Sequence, residues 1–335
     1  MLRRIYCLTF VLVAMGGGIP LKAEKLAVLP QVMQPNFIAL TDQRLYVVEE
    51  SSKIHIFARS PKGIVFEKTF GQAGEGPGEF DWIHQIRPLK DHLEIPTSGK
   101  FACFTLDGRL INEIKLPISV FKNKIYRAGE NYVARDLQID NEGVTITIRL
   151  YNKSFKLIRE LGRQRQPGGI FNINPIANYY SACVSGDKIF VVDSGKETTV
   201  MVYSKEGVQL ERVYLPLTPL KTTAAMKEVI LESLKGNPSR WKEIEKRILL
   251  PEQTPGLDLF EVVDGRFVAR TYHYRENAVE FVIFDLSGKE LKRLFLPHTG
   301  RLANGRTFCF FQGRYYHLRE NLDEETWELH SEKAW

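Results

Sequence analysis

The sequence predicts an all-β fold, a six-bladed β-propeller, and three features of the chain lead to this prediction. Short aromatic and β-branched segments, separated by turns, recur along its length. A glycine-rich motif occurs twice, with Gly71 and Gly162 lying two steps of about 45 residues apart. The residues left over at the two ends of the chain together make up one more step. Repeats of this length are typical of propeller blades, each of which is a four-stranded sheet.

The repeated motif reads FGQAGEGPGEF at Phe70–Phe80 and LGRQRQPGGIF at Leu161–Phe171. Both copies begin with an apolar residue and glycine, contain proline and glycine, and end with phenylalanine. Four other apolar segments end in Leu-Pro, which gives six junctions in all. Proline lacks an N–H group and glycine weakens pairing, so both residues end strands. We interpret each junction as a crossing from the outer strand of one blade to the inner strand of the next. The residues that mark the junctions are Pro30, Gly71, Pro117, Gly162, Pro216 and Pro297.

Within each repeat the pattern predicts short strands joined by hairpin turns. The clearest repeat, Lys188–Pro216, contains a strand, a polar loop, a second strand, a Lys-Glu-Gly turn and a third strand. The first repeat has the same order in RLYVVEE, SKIHIFAR and IVFEKTF. Turns rich in Gly, Pro, Asn or Asp occupy equivalent places in other repeats. They are Ser60–Gly63, Asp107–Gly108, Asn152–Ser154 and Leu286–Gly288.

The two ends of the chain are expected to share the last blade. Residues 298–335 are too few for a complete repeat, and residues 24–30, EKLAVLP, have the length and composition of the missing outer strand. Joining both ends in one sheet would close the ring and leave no long exposed sheet edge. The propeller is therefore predicted to span residues 24–335.

One step of the repeat is too long, and the excess lies at about residues 218–256. The segment TTAAMKEVILESLKG has apolar residues at helical spacing and a glycine at its end. A second helix, capped by Ser239, would place Trp241, Ile244 and Ile248 on one face. These patterns predict an αα-hairpin insertion between blades four and five, on the face that carries the crossings. It could be a packing element, or it could be a lid or partner surface over the channel mouth.

The first 23 residues are interpreted as a signal peptide. Arg3 and Arg4 precede an apolar run from Ile5 to Met15, and small residues lead to a cleavage site after about Ala23. The alternative is an uncleaved anchor, but the run is shorter than the roughly 20 residues of a spanning helix. We expect an exported protein, periplasmic or extracellular, with no stable membrane span after cleavage and in a monomeric state.

The charge of the chain argues against nucleic-acid binding, and its cysteine count limits which disulfide bonds can form. The formal net charge is +6, and part of it belongs to the signal segment. Because no basic tract is present, we do not expect nucleic acid as a partner. The mature chain keeps Cys103, Cys183 and Cys309, an odd number, so at least one is unpaired. All three lie in apolar strand patterns, which favours buried free thiols.

The motifs resemble those of the NHL-type six-bladed β-propellers, and especially of exported bacterial six-bladed propellers of unassigned role. Gly76–Phe80 matches the family's Pro-Gly-x-Phe crossing, and Val192–Ser194 matches its V-x-D strand end with a small polar loop. Glu49-Glu50 and Pro96-Thr97 replace the aspartate in the first two repeats. The resemblance covers roughly residues 25–335. It implies a fold rather than an activity, because propellers host many functions.

Loops of the crossing face are predicted to form the ligand-binding site around the central channel. The densest polar and aromatic group is RTYHYRE at Arg270–Glu276, where tyrosine rings would stack on a ligand and His273 or Arg275 would hydrogen-bond to it. The same run could also be an ordinary exposed hairpin. We expect alanine at Tyr272, His273 or Arg275 to weaken binding without lowering the melting temperature. The candidate ligand-binding residues are Trp82, Arg163, Asp193, Lys196, Tyr272, His273 and Arg275.

The preferred function is an exported, non-enzymatic binding or scaffold propeller that recognises a protein, peptide or glycan. No nucleophile elbow, P-loop or Rossmann fingerprint is present, and no catalytic residue, metal or cofactor is assigned. The alternative is a metal-dependent hydrolase or lyase with its site at the central channel. Similarity to zinc lyases of this fold would imply His84, His273 and His298 as ligands. Similarity to calcium-dependent lactonases would imply Glu49 and Asp193. A third hypothesis is a structural role in an envelope complex, with the insertion as the contact.

Overall fold

Six antiparallel sheets of four strands each contain the strands of the described chain. The structure is a computed structural model, and it describes residues 23–97, 99–116, 125–167, 174–176, 179–195, 197–234, 245–275, 278–297 and 306–335. A hydrophobic cluster joins each sheet to the next, and one of them joins the sixth sheet to the first. The all-β, six-bladed prediction is therefore confirmed.

The first half of the chain supplies one strand of blade 6 and the whole of blades 1 to 3. Strand β1 (Glu24–Leu29) belongs to blade 6. Blade 1 consists of β2 (Pro35–Leu40), β3 (Arg44–Glu49), β4 (Lys53–Ser60) and β5 (Gly63–Phe70). Blade 2 consists of β6 (Arg87–Pro88), β7 (His92–Pro96), β8 (Lys100–Thr105) and β9 (Leu110–Lys115). Blade 3 consists of β10 (Ile125–Ala128), β11 (Asn131–Ile139), β12 (Gly143–Tyr151) and β13 (Leu157–Pro167).

The second half supplies blades 4 and 5 and the rest of blade 6. Blade 4 consists of β14 (Tyr180–Ser185), β15 (Lys188–Asp193), β16 (Thr198–Ser204) and β17 (Gln209–Leu215). Helix α1 (Ala224–Leu234) follows it. Blade 5 consists of β18 (Leu259–Val263), β19 (Arg266–Arg275), β20 (Ala278–Phe284) and β21 (Glu290–Pro297). Blade 6 consists of β22 (Phe308–Phe311), β23 (Arg314–Asn321), β24 (Thr326–Lys333) and, outermost, β1.

The hydrophobic core lies in the seams, by which we mean the six interfaces between neighbouring blades. Side chains alternate along a strand, so each blade contributes one row of side chains to the seam on either side. On β3, Tyr46 and Val48 pack in the seam with blade 2, whereas Leu45 and Val47 pack in the seam with blade 6. This burial on both faces explains why the central strands read as continuous apolar runs.

The glycine-rich crossing from blade 1 to blade 2 is held by its two phenylalanines. The rings of Phe70 and Phe80 lie 5.1 and 5.7 Å from that of Phe104, in the seam between these blades. Gly71 has a φ of +78°, and a Cβ there would lie 2.6 Å from the Phe80 ring and 2.8 Å from the Ser52 carbonyl oxygen. The crossing therefore needs glycine in order to turn close to the ring that anchors it.

The ring is closed by pairing between the two ends of the chain. Strand β1 runs antiparallel to β24, with Leu29 opposite Trp327 and Glu24 opposite Ser331. The inner strands of blades 6 and 1 are also joined, because the Arg306 N–H donates to the Asn36 carbonyl oxygen at 2.5 Å. The sheet of blade 6 is thus completed by both ends of the chain, and its inner end is hydrogen-bonded to blade 1.

A buried carboxylate fixes the chain that crosses from blade 6 to blade 1. Glu49 Oε1 accepts the backbone N–H of Met33 and that of Gln34, the latter at 2.8 Å. Its Oε2 lies 2.5 Å from His55 Nε2, and His55 Nδ1 lies 2.7 Å from the Thr69 hydroxyl. We call Glu49, His55 and the Met33–Gln34 backbone the closure clamp. It satisfies the buried polar groups of this crossing, which would otherwise destabilise the fold.

The insertion between blades 4 and 5 begins and ends in a short antiparallel stem. The N–H of Thr222 donates to Glu252 O, and that of Thr254 donates to Leu220 O, both at 2.8 Å. Thr223 caps helix α1, because its hydroxyl accepts the Met226 N–H at 3.2 Å. The structure does not show the predicted αα-hairpin, because α1 is the one complete helix among the described residues of the insertion. Ser239, Trp241 and Ile244 of the second predicted helix lie outside the described residues.

Cys103, Cys183 and Cys309 are free thiols in the structure. They lie on strands of blades 2, 4 and 6, so no two of them share a sheet. Cys103 is buried, whereas Cys183 and Cys309 are half-buried. In the part of the chain that the structure describes, no helix has the length and apolar character needed to cross a membrane.

Replacing Glu49 with alanine should destabilise the ring. The change leaves His55 and two backbone N–H groups without their acceptor, which should cost about 1–3 kcal/mol in the free energy of unfolding. Urea denaturation measures this. The matched control is Glu67→Ala, which removes a surface ion pair with Arg44 and should change stability by less than about 0.5 kcal/mol. Equal losses in both variants would contradict a special role for the clamp.

The clamp should also make stability depend on acid pH. Burial alone would raise the pKa of Glu49, but hydrogen bonds from His55, Gln34 and Met33 hold it below its ordinary value of 4.5. The contribution of Glu49 is therefore complete above about pH 4.5 and is lost as the pH falls through the lowered pKa. We expect the stability difference between wild type and Glu49→Ala to shrink below that pH. A difference that stays constant down to acid unfolding would contradict the clamp.

Cys103 and Cys309 should resist alkylation in the folded protein. Burial raises the pKa of the Cys103 thiol to about 11 and that of Cys309 to about 12, so few molecules carry a thiolate at about pH 8. Site-resolved mass spectrometry after iodoacetamide treatment should find both thiols unmodified in the native state and modified in urea. Modification of either thiol at the unfolded rate would show that the seams are open.

Candidate functional site

The face that carries the crossings also carries the hairpins between the second and third strands of each blade. This follows from strand direction, because an outer strand and a second strand both run toward that face. We call it the crossing face. Trp82 lies in the crossing between blades 1 and 2 and is 52% exposed. Asp193 ends β15, and Tyr272, His273 and Arg275 lie at the end of β19 on the same face.

Strands β19 and β20 of blade 5 extend further over the crossing face than the inner strand β18 does. Leu259 of β18 pairs with Arg270 of β19, so the residues after Arg270 have a strand partner on the β20 side alone. Arg270 is held at this point by Asp258, with Nε–Oδ1 and Nη2–Oδ2 distances of 2.8 and 2.9 Å. This buried ion pair fixes the base of the projecting hairpin.

The projecting hairpin and the stem of the insertion enclose a cavity of about 180 Å³, which we call the seam pocket. It lies at the crossing-face end of the seam between blades 4 and 5. One wall is the stem and the other consists of β19, β20 and β21. The lining residues are Pro216, Leu217, Thr218, Leu220, Pro255, Gly256, Thr271, Tyr272, His273, Glu280 and Arg293.

A buried carboxylate dominates the chemistry of the seam pocket. Glu280 is 3% exposed, and its Oε2 accepts hydrogen bonds from the Thr271 hydroxyl at 2.8 Å and from Arg293 Nη1 at 3.0 Å. Its Oε1 lies 3.9 Å from His273 Nδ1, beyond hydrogen-bond distance. No described residue donates a hydrogen bond to Oε1. The pocket therefore contains an acceptor with unused capacity.

His273 is an accessible polar side chain of this pocket, as is Arg293, whose side chain is 39% exposed. The side chain of His273 is 43% exposed, and its backbone N–H donates to the Thr271 hydroxyl at 3.2 Å. The imidazole thus stands between solvent and the buried Glu280. Such a position allows it to donate to or accept from a ligand group that enters the pocket.

Tyr272 is not an exposed stacking platform, which corrects the expectation from the sequence. It is 5% exposed and packs with Ile176 and with Ile230 of α1. Burial raises the pKa of its phenol well above the usual value, and the Asp258 carboxylate adds to this effect. The helix covers the ring because the insertion must bury its apolar stripe against blade 5. Tyr272 shapes the wall of the pocket rather than a surface.

The other predicted residues do not gather around the pocket. Arg275 lies over the Phe295 ring, 4.1 Å from its centroid. Arg163 is on the outermost strand of blade 3, where its Nη2 pairs with Glu160 Oε2 at 2.8 Å, so it faces outward and not toward the channel mouth. Lys196 lies outside the described residues. Trp82 lies in the crossing between blades 1 and 2, whereas the pocket lies between blades 4 and 5.

Asp193 has a structural part in the seam between blades 3 and 4. Its Oδ1 accepts the Gly195 N–H and Gln164 Nε2, both at 2.9 Å. The first bond shapes the polar loop after β15, and the second joins it to the outer strand of blade 3. Oδ1 of Asp193 is therefore already occupied by local donors.

A second hollow, of about 360 Å³, lies on the crossing face at blade 2. Lys100 is its central cation, and its Nζ donates to the Gly76 carbonyl oxygen at 2.6 Å and pairs with Glu113 at 3.2 Å. These groups satisfy one another. The lining residues of the hollow are Gly74, Glu75, Asp81, Thr97, Gly99, Lys100, Glu113 and Lys115.

Among the described residues, no group of three or more His, Cys, Asp or Glu side chains is arranged to hold a metal ion. His84 lies on the blade 2 side of the ring and His273 lies on blade 5, so these two candidate ligands are apart. Burial lowers the pKa of His84. His298 lies outside the described residues.

Sequence reasoning missed Thr271, Glu280 and Arg293. A signal for Glu280 exists in the run Ala278–Phe284, AVEFVIF, where one acidic residue interrupts an apolar strand. A charge at such a position is expected to be paired, because an isolated buried carboxylate is strongly unfavourable. Its partner Arg293 lies on the next strand, β21. The alternation of residues along β21 does not distinguish Arg293 from the other polar residues there.

Tyr272 and His273 should respond differently to alanine substitution. Tyr272→Ala removes a buried ring from under α1 and should lower stability by about 3 kcal/mol. His273→Ala changes a half-exposed side chain and should change stability by less than about 0.5 kcal/mol. Thermal unfolding of both variants measures the difference. An unchanged melting temperature for Tyr272→Ala would contradict the packing of the helix on this ring.

Comparison with known proteins supports the architecture. A family profile described as "6-bladed beta-propeller" matches residues 30–181, which span blades 1 to 3 and the start of blade 4. No curated protein sequence is detectably similar to this chain. The profile and the six observed blades agree, and the chain is a six-bladed β-propeller.

Three solved structures that are similar to this chain each share 9% sequence identity with it. The AfRom2 CNH domain has a TM-score of 0.42, covering 94% of this chain and 100% of that one. The computationally designed Ika8 protein has a TM-score of 0.41, covering 91% and 98%. The Pan2 WD40 domain of Neurospora crassa has a TM-score of 0.46, covering 92% and 95%. Such distant likeness carries no argument about ligands.

Proposed function

We propose that this protein is an exported binding propeller that recognises a protein, peptide or glycan through its crossing face. The observation that carries this proposal is the seam pocket, which combines a buried carboxylate, an accessible imidazole and apolar walls. Pockets of this composition, in which few polar groups are set among apolar ones, are typical of ligand sites. A six-bladed propeller is also a rigid frame for loops, which suits recognition.

The size of the pocket limits what can enter it. Sites for whole small-molecule ligands usually measure about 300–1,000 Å³, whereas an engineered cavity of about 150 Å³ holds benzene. At about 180 Å³ the seam pocket has room for one side chain or one small group. The remainder of a ligand would then lie on the crossing face, where the hairpins near the pocket offer further contacts.

We further propose, on sequence grounds, that residues 1–23 direct export and that the protein is a monomer of the NHL type. The insertion is proposed to be an αα-hairpin in full. In this proposal it forms part of the binding surface, because its stem is one wall of the seam pocket.

Peptide and glycan arrays probed with the purified protein test the proposed function. Binding to a hit should weaken at least about tenfold in His273→Ala, which loses an accessible polar group at the entrance of the pocket. The matched control is Arg163→Ala, which removes an exposed side chain on the outer wall of blade 3 and should leave affinity unchanged. Isothermal titration with the hit measures both variants. Hits that His273→Ala leaves unaffected, or an absence of hits, would contradict the proposal.

A further inference from the structure

The unused oxygen of Glu280 indicates which chemical group the seam pocket accepts. Oε2 already accepts two hydrogen bonds, from the Thr271 hydroxyl and from Arg293. Oε1 belongs to a carboxylate that is 3% exposed and lines the cavity, yet no described residue donates to it. Oε1 is open to the cavity, so it has acceptor capacity that a donor from a ligand would use.

The charge balance around the pocket favours a cation. Arg293 is shared between two carboxylates, since Nη1 lies 3.0 Å from Glu280 Oε2 and Nη2 lies 2.8 Å from Glu290 Oε2. One guanidinium thus faces two carboxylates, which leaves an excess of negative charge among these three side chains. An anionic ligand group would be repelled by Glu280, whereas a cation would complete the pair.

The shape of the site favours a single-point donor on an aliphatic stem. Because two donors already occupy Oε2, a guanidinium could not pair with both oxygens in its preferred bidentate geometry. An ammonium group needs one oxygen and carries its charge at a point. The walls provided by Pro216, Leu217 and Pro255 can pack against methylene groups behind such a head.

We propose that the seam pocket binds the side chain of a lysine from a protein or peptide partner. The ammonium group donates to Glu280 Oε1, and the aliphatic stem lies against the stem of the insertion. His273 stands at the entrance. The positive charge of the lysine offsets the excess of negative charge that Glu280 and Glu290 leave around Arg293. This inference rests on the proposed function and specifies the partner as a peptide chain rather than a glycan.

NMR titration with two small probes tests the inference. N-acetyl-lysine methylamide carries the ammonium group, and N-acetyl-norleucine methylamide has a similar aliphatic side chain without charge. In protein labelled at histidine, the lysine probe should shift the His273 ring signals saturably. The norleucine probe should bind at least about tenfold more weakly. Equal binding of the two probes would overturn the inference, and so would equal binding of an N-acetyl-arginine methylamide probe.

Two variants complete the test. Glu280→Gln keeps the shape and the Thr271 contact but removes the charge, and it should weaken the lysine probe at least about tenfold. The matched control is Glu160→Gln, a carboxylate paired with an arginine on the outer wall, which should have no effect. Unchanged affinity in Glu280→Gln would overturn the inference. If that variant does not fold, the comparison of probes on the wild-type protein decides the question.

The outcomes separate this inference from the proposed function. Array hits that depend on His273 but contain no required lysine would overturn the lysine assignment and leave the binding function standing. Specific binding of the lysine probe without any array hit would contradict the proposed function and leave the pocket chemistry standing.

Discussion

The pairing of β1 with β24 is the constraint on which the rest of the structure depends. Every seam is made by two blades, so the side chains of a single blade have no core of their own. Without β1, blade 6 would lack its outer strand and the crossing into blade 1 would lose its anchor. The closure clamp adds hydrogen bonds where that crossing enters, at Met33 and Gln34. A ring that joins its two termini in one sheet also protects the edges that would otherwise pair with other chains.

Polar networks lie at the crossing-face ends of several seams, above their apolar centres. Glu49 and His55 occupy this position between blades 6 and 1, and Gln164 and Asp193 do so between blades 3 and 4. Donors reach both carboxylate oxygens of Glu49, and at Asp193 they reach Oδ1. Glu280 occupies the corresponding region between blades 4 and 5, but there the insertion replaces the usual short crossing. Because the insertion does not cover the carboxylate of Glu280, one of its oxygens stays available as an acceptor. The polar network at this seam is therefore a candidate binding site.

The repeat, the crossings and the position of the insertion could all be recognised in the chain, because turn chemistry and strand periodicity are local properties. The run Arg270–Glu276 was recognised for the same reason, as a dense polar and aromatic group. The orientation of the side chains in this run could not be recognised in the sequence. Tyr272 was expected in solvent and lies under α1, because alternation along one strand cannot show what another element covers. Arg163 was expected near the channel and lies on an outer strand.

By itself the sequence determined an all-β ring of six blades, since the spacing of glycine and proline sets where each strand can end. Only the tertiary structure decided that Thr271 and Arg293 both donate to Oε2 of Glu280, which leaves Oε1 without a donor among the described residues. Thr271, Glu280 and Arg293 come from three different strands, and the wall opposite them comes from the insertion stem. Their meeting depends on strand register and on the packing of the insertion against blade 5. Both are set by the free energy of the whole fold and not by any local pattern of residues.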